Sequence, residues 1–327
     1  MNNKTSIINF CKSLGLTTVG FTTCRVFSEL ENYYSYRKEK GFQIEFEEDD
    51  IEKRINPFLL MEDGKTIISI AFPYLHDENR KVKYFSKYTL GEDYHVVVKR
   101  YLQKICGYIE SLGGKAIGFV DNNPLPERYI AYLCGIGFVG KNNIFITKEY
   151  GSYIFLGEII TDLSLESDNP IKENCEKCEL CLNACPTNTL KDQVKDNDFN
   201  KCLSYLTQKK HIDEYSFNKF KGKIFGCDIC QDICPYNKKA KLSHIEEFKA
   251  FDFMKEDELI DIITMNNSSF KEKYQKCSCG WRGKNILIRN SLINYNNRNH
   301  EDKDNIIKNI NSPYIREYYD KLFKNKT

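Results

Sequence analysis

Two short cysteine runs carry the most legible chemistry in this sequence. "CEKCELCLNACP" sets Cys175, Cys178, Cys181 and Cys185 ahead of Pro186, the C-x2-C-x2-C-x3-C-P spacing of a double-cluster ferredoxin. In such a run three cysteines hold one 4Fe–4S cube, and the fourth, before proline, ligates the other. The second run, "GCDICQDICP", supplies Cys227, Cys230 and Cys234 before Pro235, but Ile224 stands where its first cysteine would fall. Cys202, in "NKCLSYLT", is the one cysteine between the runs and the simplest replacement. The crossed pattern then assigns Cys175, Cys178, Cys181 and Cys234 to one cluster, and Cys185, Cys202, Cys227 and Cys230 to the other. Two alternatives stay open. Cys202 could be a buried thiol beside a three-iron cluster, or the cysteines could hold zinc, which needs four ligands and leaves a surplus.

The composition agrees with that chemistry. Fourteen cysteines in 327 residues is a high count, and Cys11, Cys24, Cys106, Cys134, Cys277 and Cys279 lie outside the runs. These six are expected to be packed core thiols, since the lone C-x-C of "CSCG" offers too few ligands. The N-terminal stretch does not read as a signal peptide, and no apolar run nears the roughly 18 residues of a membrane span. A cytoplasmic protein off the membrane, with reduced thiols, is the expectation. Forty-eight Lys and Arg against 46 Asp and Glu neither require nor exclude a nucleic acid.

Two adjacent cubes conduct single electrons, which a ferredoxin alone achieves with the cysteine segment. Here a long segment precedes the runs, so the clusters are expected to feed a second cofactor or a substrate bound there. Neither G-x-G-x-x-G nor a P-loop occurs in that segment to mark a nicotinamide, flavin or nucleotide.

The elements that must position these groups follow from apolar spacing. Residues 1–165 read as a mixed α/β domain: a helix over 5–15, a strand over 66–72, and a long helix over 93–114 closed by two glycines. A strand over 115–120 leads directly into Asp121, and two more strands are expected at 142–147 and 152–161. Composition turns polar at 163–174, placing a boundary there. The cysteine-rich domain then spans 166–240. Residues 241–327 read as short helices at "HIEEFKAF", "NILIRNSLINY", "KDNIIKNI" and "IREYYDKLF". The fold class expected is α+β: an N-terminal α/β domain, a bacterial ferredoxin-like double-cluster domain and a short helical, HEAT-like segment.

Several further motifs occur in one order: "DDIEKRINP", "GEDYH", "VDNNPLPER", "CGIGFVGKN", "CLSYLTQ", and "WRGK" followed by "IRN". Together with the cysteines they resemble the epoxyqueuosine reductase family over nearly the whole chain. The resemblance implies cobalamin bound base-off in the N-terminal domain, a domain related to those of reductive dehalogenases and cobalamin-processing proteins. It also implies two 4Fe–4S clusters passing electrons to cobalt, and removal of the epoxide oxygen of epoxyqueuosine in tRNA to leave queuosine. An external low-potential donor of flavodoxin or ferredoxin type and a monomeric state complete that expectation.

The resemblance also assigns roles. Asp121 matches the family's proton donor, a carboxyl whose pKa desolvation would raise; read without it, Asp121 caps a turn before "NNP". Arg54 matches a cobalamin-contacting arginine. Ser86 stands where some members have a cysteine near cobalt, which removes a thiol role, and Asp93 falls near the same site or is a helix N-terminal acid. Leu156, Ser204 and Asp228 match corrin-side contacts. Lys141, Lys209, Lys210, Arg282, Lys284 and Arg289 are candidate phosphate contacts, and Trp281 a stacking or anchoring residue. Many members continue beyond "WRGK" into a longer array of paired helices, whereas the residues here suffice for about one pair. Two other readings are a corrinoid-dependent reductase of another substrate, such as an organohalide, and a non-catalytic electron-transfer or cobalamin-binding protein.

Overall fold

The computed structural model describes residues 2–77, 82–298, 306 and 312–324. They form two compact units, neither continuous in sequence. The first comprises Met1–Leu75, Tyr94–Phe199 and Ile229–Glu246; the second, His76–Asp93, Asn200–Asp228 and Glu247–Thr327. The expected C-terminal segment therefore lies almost wholly in the second unit, and the cysteine stretch contributes to both.

The first unit is built on a four-stranded sheet, with β1 (Val19–Thr23), β2 (Thr66–Pro73), β3 (Ala116–Phe119) and β6 (Ile154–Thr161) in the order β1-β2-β6-β3. Every pairing is antiparallel. β2, "TIISIAFP", is buried along its whole length, as a β-branched run covered on both faces must be. One face packs against α4 (Tyr94–Ser111), which buries Val97, Val98, Leu102, Ile105, Cys106 and Ile109 as one helical stripe. Gly113, at φ +88°, lets the chain leave that helix. The other face packs against α5 (Glu127–Leu133) over a core of Phe27, Ile67, Ile130 and Ile160. Gly20 permits the close approach, since a Cβ there would collide with the carbonyl oxygen of Cys134 at the end of α5.

The strand expected at 142–147 is shorter than its pattern suggests. Only Phe145–Ile146 (β5) is regular, paired with Phe138–Val139 (β4) in a small hairpin. α1 (Asn3–Ser13) matches the first expected helix, with Asn2 capping it by accepting from the Thr5 N–H. β1 and α5 were not anticipated.

The second unit is a helical core around the Lys284–Asn297 helix, in which every residue from Ile286 to Tyr295 is buried. The Leu259–Ile263 and Pro313–Phe323 helices pack on it. A helix buried all round carries polar groups only if they have partners. Asn290 donates to the carbonyls of Thr207 and Ile224, each at 2.7 Å, and Asn294 to that of Lys223 at 2.8 Å. Of the helix expected at 303–310, all but Ile306 lies outside the described residues; "HIEEFKAF" forms only a 3-10 turn, Glu246–Phe248. Among the described residues no helix is long and apolar enough to cross a membrane.

Candidate active site and cluster ligands

β3 ends at Phe119, and two residues later the chain turns sharply. Asp121 has φ +50°, a left-handed conformation that non-glycine residues rarely adopt. The N–H groups of Asn122 and Asn123 bond back to the carbonyls of Val120 and Asp121 at 2.7 and 2.6 Å. Asn123 Oδ1 accepts the Leu125 N–H at 2.8 Å, and Pro126 precedes the first turn of α5. The loop ends with Glu127, whose Oε1 accepts from the Asp121 N–H at 2.8 Å and from Asn123 Nδ2 at 2.9 Å.

Asp121 Oδ2 meets two side chains from the start of α4. Tyr94 donates its hydroxyl, and His95 Nε2 lies 3.0 Å away. Tyr94 is itself stacked on Phe155 of β6, with ring centroids 4.2 Å apart. Crowding by the surrounding walls pushes the Asp121 carboxyl up, but the hydrogen bonds from His95 and Tyr94 outweigh it and hold the group below its ordinary value. Desolvation is the largest single influence, but the two donors together exceed it, and 53 % of the side chain stays open to solvent. The sequence-based expectation of a raised pKa at Asp121 is therefore corrected for the protein itself: its two donors, invisible in a desolvation argument, decide the sign.

Asp121 and Arg54 line one cleft of about 680 Å³. Arg54 follows from Asp50, which caps the Ile51–Ile55 helix (α3) by accepting from the Glu52 and Lys53 N–H groups. Its guanidinium pairs with Glu47 Oε2 at 2.9 Å and lies 4.0 Å from the centroid of the Tyr34 ring. Arg54 Nε is buried without a partner among the described residues. A guanidinium with an unused donor, the aromatic walls of Tyr33, Tyr34 and Tyr129, and a solvent-reached carboxylate fit a large amphipathic group bearing amides and a phosphate.

The remaining cofactor candidates fall in two places. Leu156 lies on β6 in the first unit. In the second, Ser86 and Asp228 meet directly: Ser86 donates its hydroxyl to Asp228 Oδ1, and the Lys87 N–H reaches Oδ2 at 2.9 Å. Ser204 lies in the short Leu203–Leu206 helix, its carbonyl accepting from Thr207 Oγ1 at 2.7 Å. Asp93 accepts from Ser278 Oγ at 3.2 Å.

Cys175, Cys178, Cys181 and Cys234 surround one cavity of about 40 Å³, closed by Ile146, Leu180, Pro235 and Tyr236. Burial first, then the negative charges of Cys175 and Cys234, push the Cys181 thiol up to about 11. Four crowded sulfurs that repel one another as thiolates suit an iron cluster, whose cations reverse that repulsion. Of the other four, Cys185 and Cys230 belong to the first unit and Cys202 and Cys227 to the second; all are part-buried. Burial raises the Cys185 thiol, but the Thr187 hydroxyl and the N–H groups of Thr187, Thr189 and Leu190 more than offset it and favour the thiolate. The six cysteines outside the runs are all buried.

The candidate phosphate contacts divide. Arg289 is fully buried and donates to the carbonyls of Lys209 and Lys210 at 2.6 and 3.0 Å, so it shapes a loop and cannot meet a phosphate. Sequence reasoning placed it on the surface because an Arg near "WRGK" reads as one more surface cation. Lys141 is paired with Asp192 at 2.8 Å. Trp281 is 53 % exposed and donates Nε1 to Gln208 at 3.1 Å, while Arg282 Nε donates to the Gln208 carbonyl at 2.9 Å. Lys209 and Lys210 follow Gln208 directly.

Comparison with known proteins shows the family. Residues 54–122 match the family described as "Epoxyqueuosine reductase QueG, DUF1730", and residues 174–237 match the "4Fe-4S double cluster binding domain". An epoxyqueuosine reductase of Bacillus anthracis is 37 % identical over 302 residues, 89 % of this chain and 79 % of that protein. The structure of epoxyqueuosine reductase from Streptococcus thermophilus superposes with a TM-score of 0.90 at 36 % identity, over 98 % of this chain and 89 % of that one. A crystal structure of epoxyqueuosine reductase with an epoxyqueuosine-modified tRNA-Tyr stem loop gives 0.88 at 32 % identity, over 97 % and 88 %. The chain belongs to the epoxyqueuosine reductase family.

Proposed function

We propose that Asp121 is the proton donor with which this chain, an epoxyqueuosine reductase acting on tRNA, converts epoxyqueuosine to queuosine. Its cofactors are cobalamin and two 4Fe–4S clusters. Bound, they supply the two low-potential electrons the reaction consumes. With two protons these electrons break both C–O bonds of the epoxide, form the alkene and release the oxygen as water.

One observation carries the residue assignment: Asp121 shares a cleft with Arg54 and stands open to solvent with Tyr94 and His95 on its carboxyl. A proton delivered to the departing oxygen comes from a group within hydrogen-bond reach, and Tyr94 and His95 orient the carboxyl that brings it. Arg54 and the tyrosines around it would hold polar substituents of cobalamin; Leu156, Ser86, Ser204 and Asp228 are read as further corrin-side groups. Cys175, Cys178, Cys181 and Cys234 would hold one cluster, and Cys185, Cys202, Cys227 and Cys230 the other.

For the tRNA, we read Lys209 and Lys210 of the ferredoxin-like segment, with Arg282 and Lys284 of the HEAT-like helical segment that follows it, as phosphate contacts around the exposed Trp281. Work on tRNA suits a cytoplasmic protein supplied by an external low-potential donor. The test is single-turnover reduction by Asp121→Asn with both clusters and cobalamin loaded. A loss of about 10²–10⁴-fold supports the assignment, and a wild-type rate rejects it.

A further inference from the structure

The central strand β6 carries a carboxyl where an apolar side chain would ordinarily pack. Glu158 is fully buried, in register with Ser69 of β2 and Phe119 of β3, on the sheet face covered by α5. Its Oε1 accepts from Ser69 Oγ at 3.2 Å, while its Oε2 is buried with no partner among the described residues. The nearest charged influence on it is the side chain of Glu127, which opens the α5 helix packed on β6. Two ionised carboxyls offer only acceptors to each other and repel. One proton between them supplies the donor that Glu158 lacks and removes one of the two charges.

Glu127 is also the anchor of the active-site loop. Its Oε1 collects the N–H of Asp121 and the side-chain amide of Asn123. The left-handed backbone at Asp121 needs such an outside hold, since conformations of this kind persist only where surrounding contacts impose them.

We propose that Glu127 and Glu158 share one proton, and that Glu127, held in this way, is the positioning residue that fixes Asp121 for proton delivery. The inference rests on the reading of Asp121 as the proton donor. The groups facing the pair are Asp121 from the loop, Arg128 from α5, Ser69 from β2 and Cys134 at the end of α5, with Tyr94 and His95 beyond Asp121. Arg128 favours an ionised Glu127, while burial and the charge of Asp121 oppose it and push that carboxyl up to about 7. Burial and the charge of Glu127 drive Glu158 far above the ordinary carboxylate range.

The test uses the full-length holoenzyme and four variants: Glu158→Gln, Glu127→Gln, Glu127→Ala and Asp121→Asn. Infrared difference spectra at pH 7 should show a protonated-carboxyl stretch in wild type and Asp121→Asn that is missing from Glu158→Gln. A band that survives Glu158→Gln overturns the shared proton. In single turnover, Glu127→Ala should slow reduction about 10²-fold with tRNA affinity unchanged, as misplacement of a catalytic group does. Glu127→Gln, whose amide oxygen accepts the same two N–H groups, should recover most of that loss and keeps the test valid if the alanine variant misfolds. A wild-type rate in Glu127→Ala beside an inactive Asp121→Asn overturns the positioning role alone. A wild-type rate in Asp121→Asn overturns the proton-donor reading, and the positioning role with it.

Discussion

The backbone N–H of Asp121 lies 2.8 Å from Glu127 Oε1, so the residue that opens α5 also sets the residue that closes the β3 turn. The open end of Asp121 meets Tyr94 and His95 of α4. The candidate acid is thus gripped from both sides of the sheet, by groups that control its place and its proton affinity separately.

Removing the two donors should shift the pH profile in a definite direction. A proton donor works in its protonated form, so the rate falls as pH rises through its pKa. Tyr94 and His95 hold that value down. Tyr94→Phe combined with His95→Ala should therefore raise it and move the falling limb of the single-turnover profile to higher pH. A limb that stays in place or moves to lower pH rules out their control of Asp121.

The cluster assignment makes a count. Cys181→Ser should lower the iron content from about eight atoms per chain towards about four, with one cubane signal lost from the electron paramagnetic resonance spectrum of the reduced protein. Cys202→Ser decides the alternative left open by its separation from the second run. Loss of a cubane signal makes Cys202 a ligand, whereas an unchanged spectrum makes it a buried thiol.

Lys210 and Arg289 should behave in opposite ways. Lys210→Ala should weaken tRNA binding and lower the salt slope by about one, with little effect on folding. Arg289→Ala removes a buried guanidinium that donates to the carbonyls of Leu206, Thr207, Lys209 and Lys210 and should cost about 3 kcal/mol of stability. Equilibrium binding at several salt concentrations and thermal unfolding separate the two.

Stability should also depend on the Glu127–Glu158 pair. A carboxyl that binds its proton more tightly in the folded chain stabilises the fold most below its unfolded pKa, and that contribution is lost as pH rises through the folded one. For Glu127 the window runs from 4.5 to about 7. The Tm of wild type relative to Glu127→Gln should fall across it; a constant difference shows that Glu127 does not titrate there.

What was legible in the sequence depended on whether the chemistry is local. The cysteine runs fix ligand spacing within a few residues, and four of those cysteines surround one cavity. The β-branched run at 66–72 and the stripe at 93–114 announced β2 and α4 because such patterns report burial directly. β1 was missed because "VGFTT" is short and carries a glycine that serves a close approach seen only in the fold. Glu158 was hidden inside a strand reading as "IFLGEIIT", where one acidic residue looks like the polar side of an alternation. The deepest miss is Arg289: a buried arginine that binds loop carbonyls has the same local sequence as a surface one.

The most direct measurement is anaerobic turnover of epoxyqueuosine-containing tRNA by the reconstituted protein, wild type and Asp121→Asn, with and without cobalamin, and with the nucleosides read by mass spectrometry. The account predicts cobalamin-dependent loss of one oxygen to give queuosine in wild type, and persistence of the epoxide in the variant. An epoxide that persists in wild type with both clusters intact and cobalamin bound would contradict it, as would a variant that reduces as fast as wild type.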